Sequence, residues 1–338
     1  MNILVGMVVL LFSSYCQAQG AMTTPGSLRV DDAGALAYTI PIMVPPGISG
    51  VEPKLELVYN SQGGNGPLGV GWGISGLSAI TRCPRTMAQD AVRGSVNFDQ
   101  NDRYCLDGQR LVAVKGAYGK DGTEYRTERE SFSKIVSYGA AGNGPASFKV
   151  WTKSGMLMDY GLTSDSRIEA VKAPSAASTW PIGTVATWAL NKVSDTKGNY
   201  YNVVYCENNT DTTCKENSDS AFYPIRIDYT GNAQSAEQPV NSVIFQYDGS
   251  RPDVVPVYHA GAQIKNIKRM TNILTYAGGV LVTDYRLQYA LDQAPRPSRL
   301  TSVQQCNGST GGCLGAAKLS FKRSEEHTSE LQSRQVIS

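Results

Sequence analysis

One stretch of the chain decides its fold class: residues 189–205 read ALNKVSDTKGNYYNVVY. The pattern is a strand, an Asp-x-x-Gly-Asn turn that begins at Asp195, and a second strand. Gly198 and Asn199 are residue types that accept a positive φ, so the chain can fold back on itself at this point. The stretch therefore predicts a β-hairpin.

The same architecture extends outward from this hairpin. Apolar and polar residues alternate with a period of two in 55–59, 148–151 and 243–247, which is typical of strands with one buried face. Turn signals separate such segments: Pro45-Pro46-Gly47, Gly63-Gly64-Asn65-Gly66-Pro67, Asp107-Gly108, Asp121-Gly122, Gly142-Asn143-Gly144 and Gly231-Asn232. The sequence predicts an all-β fold of many short antiparallel strands and hairpins. It excludes a helical bundle and argues against βαβ units.

Composition and charge narrow the function classes. The 338 residues include 34 Gly, 16 Pro and 18 Tyr, a composition typical of a β protein with many turns. The net charge is +2, with acidic and basic residues evenly spread, and no basic stripe is available for a nucleic-acid backbone. The length suits one large domain or two of medium size.

The N-terminus resembles an export signal. Residues 3–12 form an apolar run of the length of an h-region, and Cys16 and Ala18 are small residues before a cleavage site after Ala18. The n-region holds only Met1 and Asn2, without Lys or Arg. The alternatives are a buried strand, a membrane anchor or a lipoprotein, although the run is short for a bilayer. We predict a signal peptide over residues 1–18, export from the cell and no stable membrane span.

Cysteine usage is a second indication of export. The cysteines after residue 18 form three pairs that are close in sequence: Cys83 and Cys105, Cys206 and Cys214, Cys306 and Cys313. Six cysteines allow 15 connectivities, of which local pairing is the simplest because each bond would staple one hairpin or loop. Zinc is the alternative, but the sequence has no CxxC motif. We predict three local disulfides formed in an oxidising compartment.

Two motifs resemble ligand-binding loops. The glycines at 64, 66, 69 and 71 match a nucleotide-binding string, but Pro67 interrupts it and no helix signal follows. We expect a glycine-dense turn that lets the backbone cross closely beneath Trp72. Asp99, Asn101, Asp102 and Asp107 form an oxygen-rich cluster, but their order does not fit a calcium loop.

Catalytic constellations are equally weak. His259 is the only histidine outside the C-terminal tail, and it lies where a strand enters a turn, without a nucleophile elbow elsewhere. Glu124 and Glu128 resemble a glycosidase dyad in residue type alone. Their segment alternates, so we expect both to lie on a solvated strand face. The sequence therefore predicts no catalytic residue, no cofactor and no metal site.

The chain divides into four segments. After the signal peptide we predict a first β region over 19–172 and a second over 173–322, with a low-complexity connector at Pro174-Ser175-Ala176-Ala177-Ser178. Residues 323–334 resemble the conceptual translation of a sequencing-library adapter. We therefore expect 323–338 to be an artefact, the natural protein to continue beyond Lys322, and His327 to have no function.

Several motifs together resemble the N-terminal region of the SpvB family, which toxin-complex B subunits share. The similarity extends from about Gly26 to Lys322, and the motifs taken together are specific. It is carried by Tyr38-Thr39-Ile40-Pro41-Ile42, Leu57-Val58-Tyr59-Asn60-Ser61, Gly66-Pro67-Leu68-Gly69-Val70-Gly71-Trp72, Gly76-Leu77-Ser78-Ala79-Ile80-Thr81-Arg82-Cys83, Asp102-Arg103-Tyr104-Cys105-Leu106-Asp107-Gly108-Gln109-Arg110-Leu111, Glu124-Tyr125-Arg126-Thr127-Glu128 and Ser298-Arg299-Leu300-Thr301-Ser302-Val303.

The resemblance implies a non-catalytic β scaffold that precedes propeller repeats and Rhs/YD repeats, which form a shell around a toxic C-terminal domain. The Asp195-to-Asn199 hairpin resembles a Rhs/YD unit, so the chain would be a fragment of such a shell. The ADP-ribosyltransferase of the name-giving protein lies beyond this region and is not transferred to this chain. The implied partners are the rest of the same chain and a toxin translocation subunit.

We therefore expect a secreted structural and delivery module of a larger virulence protein, and not an enzyme. One alternative is a carbohydrate- or surface-binding module in which aromatic residues such as Trp151 and Trp180 form a platform. A second alternative is a secreted glycoside hydrolase. Outward-facing coplanar aromatics would favour the first alternative, and two convergent carboxylates would favour the second.

Overall fold

The structure, a computed structural model, describes residues 23–172, 180–206, 220–249, 251–290, 297–323 and 333–337. Helix is confined, within these residues, to α1 (Met87–Asp90) and a 3-10 turn (Ser164–Ser166). All the strand pairs between named elements are antiparallel. The all-β prediction is confirmed.

The first strands of the chain form a separate small sheet and a short hairpin. They are β1 (Ser27–Val30), β2 (Leu36–Ile42), β3 (Leu55–Asn60), β4 (Asn65–Gly66), β5 (Gly69–Val70) and β6 (Trp72–Ser75). The small sheet has the order β1-β2-β3-β6, and β4 pairs with β5. In β3 the side chains of Leu55, Leu57 and Tyr59 are buried while Glu56 is exposed, as the alternating pattern predicts.

A closed barrel of eight strands follows. Its first seven strands are β7 (Ala79–Cys83), β8 (Arg103–Leu106), β9 (Gln109–Lys115), β10 (Glu124–Thr127), β11 (Lys134–Tyr138), β12 (Ser147–Trp151) and β13 (Leu157–Tyr160). Each of these pairs with the next along the chain. After β14 (Arg167–Glu169), the eighth strand, β15 (Val185–Ser194), pairs with both β13 and β7 and closes the ring. Closure leaves these strands without a free edge.

The remaining strands extend an open sheet from β15. They are β16 (Asn199–Cys206), β17 (Tyr223–Asn232), β18 (Asn241–Asp248), β19 (Val257–His259), β20 (Ala262–Ile264), β21 (Arg269–Ala277), β22 (Val280–Tyr289), β23 (Leu300–Asn307), β24 (Ala317–Arg323) and β25 (Ser333–Ile337). The order is β15-β16-β17-β18-β21-β22-β23-β24-β25, and β19 and β20 form a hairpin outside it. The strand β25 lies inside the segment predicted to be an adapter artefact, and its backbone pairs with β24.

The predicted hairpin at 189–205 is confirmed and joins the barrel to the open sheet. Ser194 stands opposite Tyr200, and Gly198 in the turn has a φ of +84°. The Asp195 carboxylate accepts hydrogen bonds from the backbone N–H of Lys197 and Asn199 at 2.8 and 2.9 Å. Burial by itself would raise the pKa of Asp195, but the hydrogen bonds from Asn199 and Lys197 lower it below its usual value.

One hydrophobic core runs through all three parts of the fold. It includes Ile40 from the small sheet, Trp188 and Phe148 from the barrel, and Tyr229 and Tyr285 from the open sheet. Two tyrosines of the open sheet also bond the loop after β2: the Tyr285 hydroxyl accepts from the Met43 N–H at 2.8 Å, and the Tyr229 hydroxyl donates to the Pro45 carbonyl at 2.9 Å. The small sheet is therefore fixed to the open sheet by packing and by hydrogen bonds.

The predicted boundary between residues 172 and 173 adjoins 173–179, which are outside the described residues. The strand β15 lies beyond that boundary in sequence, yet its residues 187–189 pair with β7 and its residues 190–194 pair with β13. Backbone hydrogen bonds thus connect the two predicted regions, and the division into two regions stays a prediction.

Candidate functional site

A buried arginine lies on the first strand of the barrel. Arg82 lies on β7 two residues after the buried Ile80, so the alternation of the strand turns its side chain inward. Its Nη1 lies 3.0 Å from Oδ2 of Asp102, and both side chains are about 1% exposed. The guanidinium also donates to the carbonyls of Val185 at 2.6 Å and Asn143 at 2.9 Å. The charge is thus paired and hydrogen-bonded, as a buried charge must be.

Aromatic rings surround this ion pair. The guanidinium carbon of Arg82 lies 5.6 to 5.8 Å from the ring centroids of Phe98, Tyr104 and Trp188. Tyr104 and Trp188 meet edge to face at 5.3 Å. Cation–π attraction in a desolvated setting adds to the ion pair. We call Arg82, Asp102 and these three rings the barrel cluster.

A second buried ion pair joins three distant segments of the chain. Arg251 Nε lies 2.9 Å from Oδ1 of Asp253, and these side chains are 1% and 2% exposed. Asp253 also accepts from the N–H and hydroxyl of Ser298 at 2.7 and 2.6 Å and from the Asn65 amide at 2.8 Å. Arg251 donates in turn to the Gly66 carbonyl at 2.7 Å and to the Asn65 side chain. We call these residues the junction cluster.

The electrostatics of the junction cluster keep Asp253 ionised. Burial alone would raise the pKa of this carboxyl group. The hydrogen bonds from Arg251, from Ser298 and from Asn65 outweigh burial and hold the pKa well below its usual range. A carboxylate held in this way is a poor proton donor or acceptor near neutral pH.

The glycine-rich string forms the β4–β5 hairpin, and two of its glycines lie in close contact with other parts of the chain. A Cβ atom on Gly69, whose φ is +84°, would lie 2.4 Å from the Ser298 carbonyl oxygen. On Gly71 it would lie 2.5 Å from the Tyr59 ring. The next element is the strand β6 and not a helix, so the geometry of a phosphate-binding loop is not formed here.

The oxygen-rich cluster does not converge on one point. Asp102 pairs with Arg82, whereas Asp107 accepts hydrogen bonds from Ser78 at 2.6 Å and from the Ala79 N–H at 3.0 Å. Asp99 accepts from the Asn101 N–H at 2.7 Å within its own turn. Among the described residues, no group of three or more His, Cys, Asp or Glu side chains is placed to hold a metal ion.

The other candidate catalytic residues are also apart. His259 is exposed on the β19–β20 hairpin, with its ring 6.3 Å from Phe98. Glu124 pairs with Arg126 at 3.0 Å and with Lys134 at 3.7 Å. Glu128 is exposed and accepts from the Gln89 amide. Each carboxylate has its own partner, so the two do not form a dyad in this structure.

The aromatic platform is not formed as an exposed surface. Trp180 is 7% exposed, packs against Phe98 with the ring centroids 4.8 Å apart, and donates its indole N–H to the Ala170 carbonyl at 3.1 Å. Trp151 is only partly buried, and the Lys134 ammonium lies 5.4 Å from its ring. Trp180 therefore belongs to a small core and is not available to stack on a sugar.

Two disulfides lie within the described chain. Cys83 on β7 bonds to Cys105 on β8, beside the barrel cluster, and Cys306 bonds to Cys313 at the end of β23. Cys206 at the end of β16 is disulfide-bonded as well. Cys214 lies outside the described residues.

Sequence reasoning missed both buried ion pairs. Arg82 appears in a motif that carries the family resemblance, but nothing marked it as buried. The available signal was its parity with Ile80 on an alternating strand. Arg251 and Asp253 flank a proline between strands and resemble an ordinary polar turn. Their burial depends on Asn65 and Ser298, which no local pattern connects to them.

No helix in the described part of the chain is long and apolar enough to cross a membrane.

The barrel, its open-sheet extension and the buried ion pairs define an all-β module whose strongest polar clusters connect parts of the fold. Residues 31–246, well over half of the chain, match the family SpvB, described as Salmonella virulence plasmid 65kDa B protein. The chain belongs to the SpvB family.

Among curated relatives, the mono(ADP-ribosyl)transferase SpvB of Salmonella choleraesuis (strain SC-B67) is 26% identical over 200 residues, which cover 51% of this chain and 32% of that protein. The SpvB protein of Salmonella typhimurium is 25% identical over the same lengths. The matched region thus spans about a third of the curated relatives.

Solved structures have the same fold. The crystal structure of TcdB2-TccC3 matches with a TM-score of 0.69 and 20% identity, covering 90% of this chain and 17% of that one. The N-terminal domain of effector protein SpvB from Salmonella typhimurium strain LT2 matches with a TM-score of 0.60 and 21% identity, covering 79% of this chain and 98% of that domain. The chain therefore contains nearly the whole fold of that N-terminal domain.

Proposed function

We propose that this chain is a non-catalytic scaffold and delivery module at the N-terminus of a larger secreted toxin or virulence protein. The observation that carries the proposal is the use of its buried charges. Arg82, Asp102, Arg251 and Asp253 are all paired at 1–2% side-chain exposure, where they bond strands and loops to one another. Groups arranged in this way stabilise one geometry and are not accessible to a substrate.

The proposal extends to the activity of the chain by itself. The relatives named as mono(ADP-ribosyl)transferases are about three times as long as the region they share with this chain. The two carboxylates singled out from the sequence have separate partners. Glu124 forms ion pairs with two cationic side chains, and Glu128 accepts a hydrogen bond from the Gln89 amide. Both observations favour a scaffold without transferase activity of its own.

The proposed partners are the remainder of the same polypeptide and a toxin translocation subunit. An open sheet can be extended by further strands at its outer edge, which here is β25, the strand paired with β24. The Rhs/YD-like shell and the export signal belong to the same proposal. Thr24, six residues after the predicted cleavage site, is 3% exposed and donates its N–H to the Gly315 carbonyl.

Activity is tested with the 338-residue chain and radiolabelled NAD⁺ in a eukaryotic cell lysate. We expect no transfer of label to any protein above the level seen with heat-denatured chain. A full-length relative that carries the transferase region is the positive control. Reproducible labelling that requires the folded chain would overturn the non-catalytic assignment.

Delivery and export are tested in the producing bacterium with the natural, full-length gene. We expect the secreted protein to begin at Gln19 when its N-terminus is sequenced. Deletion of the region that encodes 19–322 should abolish recovery of the downstream domain from the medium while its intracellular synthesis continues. Unchanged export of that domain would refute the delivery role.

A further inference from the structure

A cavity in the connection between β7 and β8 has no assigned role. It has a volume of about 580 Å³ and lies within residues 84–95, which include α1 and which we call the α1 loop. Two cations, Arg85 and Arg93, contribute to its lining, and no acidic residue of the described chain does. The apolar part of the lining comes from Pro84, Met87 and Ala88.

The α1 loop is held in one shape by the barrel. Arg85 and Gly94 exchange backbone hydrogen bonds at 2.9 and 3.2 Å, which join the two ends of the loop. Asp90 in α1 pairs with Arg103 on β8 at 2.8 Å and with Arg110 on β9 at 2.5 Å. Because the loop is already ordered, a partner that binds to it does not have to supply the cost of ordering it.

The charges of the loop favour an anionic partner. Its one carboxylate, Asp90, is 5% exposed and already has two cations as partners. Arg85 and Arg93 form no ion pair with any residue that the structure describes. The loop and the side chains bonded to it contain four arginines and two carboxylates, Asp90 and Glu128, so their net charge is +2. Electrostatic complementarity therefore selects a negatively charged partner.

A glycine determines where the guanidinium group of Arg85 lies. A Cβ atom on Gly94 would lie 2.9 Å from Nε and Nη2 of Arg85. The guanidinium thus occupies the space that a side chain at position 94 would need. Gly94 does not have a positive φ, so its backbone conformation does not require glycine. The glycine instead allows the half-buried Arg85 to keep its charged group beside the cavity.

Exposed apolar side chains lie in the same loop as these cations. Met87 is 56% exposed and Val92 is 42% exposed. Arginine and methionine are enriched in protein–protein interfaces, and methionine adapts to partner surfaces of different shape. With Pro84 and Ala88, Met87 gives the cavity an apolar wall beside its positive charges. This combination suits a segment that carries both carboxylates and an apolar side chain.

We propose that the α1 loop binds an acidic segment of a partner protein in which an apolar side chain lies between two carboxylates. One carboxylate would pair with Arg85 and the other with Arg93, while the apolar side chain packs against Met87 and Ala88. This inference does not rest on the scaffold role. A chain that binds no acidic segment could still be a non-catalytic scaffold, which the activity and export experiments test separately.

The test measures binding of three fluorescein-labelled dodecapeptides to the 338-residue chain by fluorescence anisotropy at low salt. The peptides are (Gly-Glu-Leu-Glu)₃, (Gly-Gln-Leu-Gln)₃ and (Gly-Lys-Leu-Lys)₃. We expect saturable binding of the glutamate peptide, which weakens as salt is added, and at least about tenfold weaker binding of the other two. Absence of binding, or equal affinity for the glutamate and glutamine peptides, would overturn the proposal.

Two charge variants localise the binding. Arg85→Gln and Arg93→Gln should each weaken binding of the glutamate peptide about fivefold or more. The matched control is Arg29→Gln, which removes the same charge from an exposed position on β1 outside the cavity and should change the affinity less than about twofold. Unchanged affinity in both loop variants, or an equal loss in the control, would refute this location.

A third variant tests the position of the Arg85 guanidinium at constant charge. Gly94→Ala places a methyl group against this flexible side chain and should displace it, so we expect about threefold or more weaker binding without a lower melting temperature. Gly249→Ala is its control, because Gly249 has an ordinary φ and open space around it. Sedimentation velocity tests a second copy as the occupant, and self-association that Arg85→Gln abolishes would overturn the proposal.

Discussion

The barrel and the open sheet are built from similar hairpins, but they differ in whether their outermost strands are paired. In the barrel, β15 pairs with both β13 and β7, so the eight-stranded ring has no edge. The sheet that starts with the pairing of residues 192–194 of β15 to β16 continues strand by strand and ends in an edge. The barrel is thus complete by itself, whereas the sheet is a structure that further strands can extend.

The buried ion pairs follow the same division. Arg82 and Asp102 lie inside the barrel among three aromatic rings, and they stabilise a ring that is already closed. Arg251 and Asp253 lie where the β4–β5 hairpin meets the open sheet, and Arg251 bonds to residues about 185 positions away in sequence. The comparison indicates that polar contacts in its interior stabilise the barrel, whereas polar contacts between distant loops stabilise the open sheet.

The largest effect is expected from Arg82→Met. The substitution leaves Asp102 buried without a cation, and the free energy of unfolding should fall by about 3–5 kcal/mol. Urea denaturation followed by fluorescence measures the change. The control is Arg126→Met, whose partly exposed pair with Glu124 should contribute at most about 1 kcal/mol. If Arg82→Met cannot be purified, Asp102→Asn replaces it, and equal stabilities of either variant and the control would contradict the prediction.

The next prediction compares the stability that each of the two disulfides contributes. In the barrel, the bond between Cys83 and Cys105 joins residues with a sequence separation of 22. In the open sheet, the bond between Cys306 and Cys313 joins residues with a sequence separation of 7. Loop-closure entropy predicts losses of about 3 and about 2 kcal/mol when each pair is replaced by alanine. Denaturation of the two double variants without reductant tests the order. A larger loss at the sheet would show that local strain or packing outweighs loop length.

A smaller effect, with a pH signature, is expected at the junction. Because the folded pKa of Asp253 is depressed, its contribution to stability is present above the unfolded pKa of about 4 and is lost as the pH falls toward the folded pKa. Asp253→Asn should therefore lower stability by about 2 kcal/mol at pH 7, with a smaller difference from wild type at pH 3. Urea denaturation at both pH values measures this, with the exposed Asp32→Asn as control. A difference that does not change with pH would contradict the assignment.

The smallest effect is expected at the contact between the small and open sheets. Tyr285→Phe leaves the Met43 N–H without its acceptor and should cost about 1 kcal/mol. Hydrogen exchange of the Met43 amide should become faster, which a purely global effect would not single out. Tyr138→Phe, at an exposed tyrosine, serves as the control. Unchanged exchange at Met43 would show that packing alone holds the loop.

Much of the fold was predictable because it depends on local patterns. The turn at Asp195, Gly198 and Asn199 specifies a hairpin through residues only a few positions apart, and the alternation at 55–59 specifies which face of β3 is buried. The site was less predictable. Trp180 is a residue type that is common in carbohydrate-binding platforms, yet it packs on Phe98, which lies 82 positions earlier in the chain. No periodicity contains information about such a contact.

By itself, the sequence determined the all-β class, the hairpins and the family resemblance, because each depends on motifs whose residues are near one another in the chain. The tertiary structure alone decided that β15 closes a barrel, that Arg82 is buried beside Asp102, and that Arg251 bonds to the β4–β5 hairpin. The physical reason is that burial and pairing depend on which distant strands become neighbours. An arginine on a strand has the same local sequence whether solvent or a second strand lies opposite it.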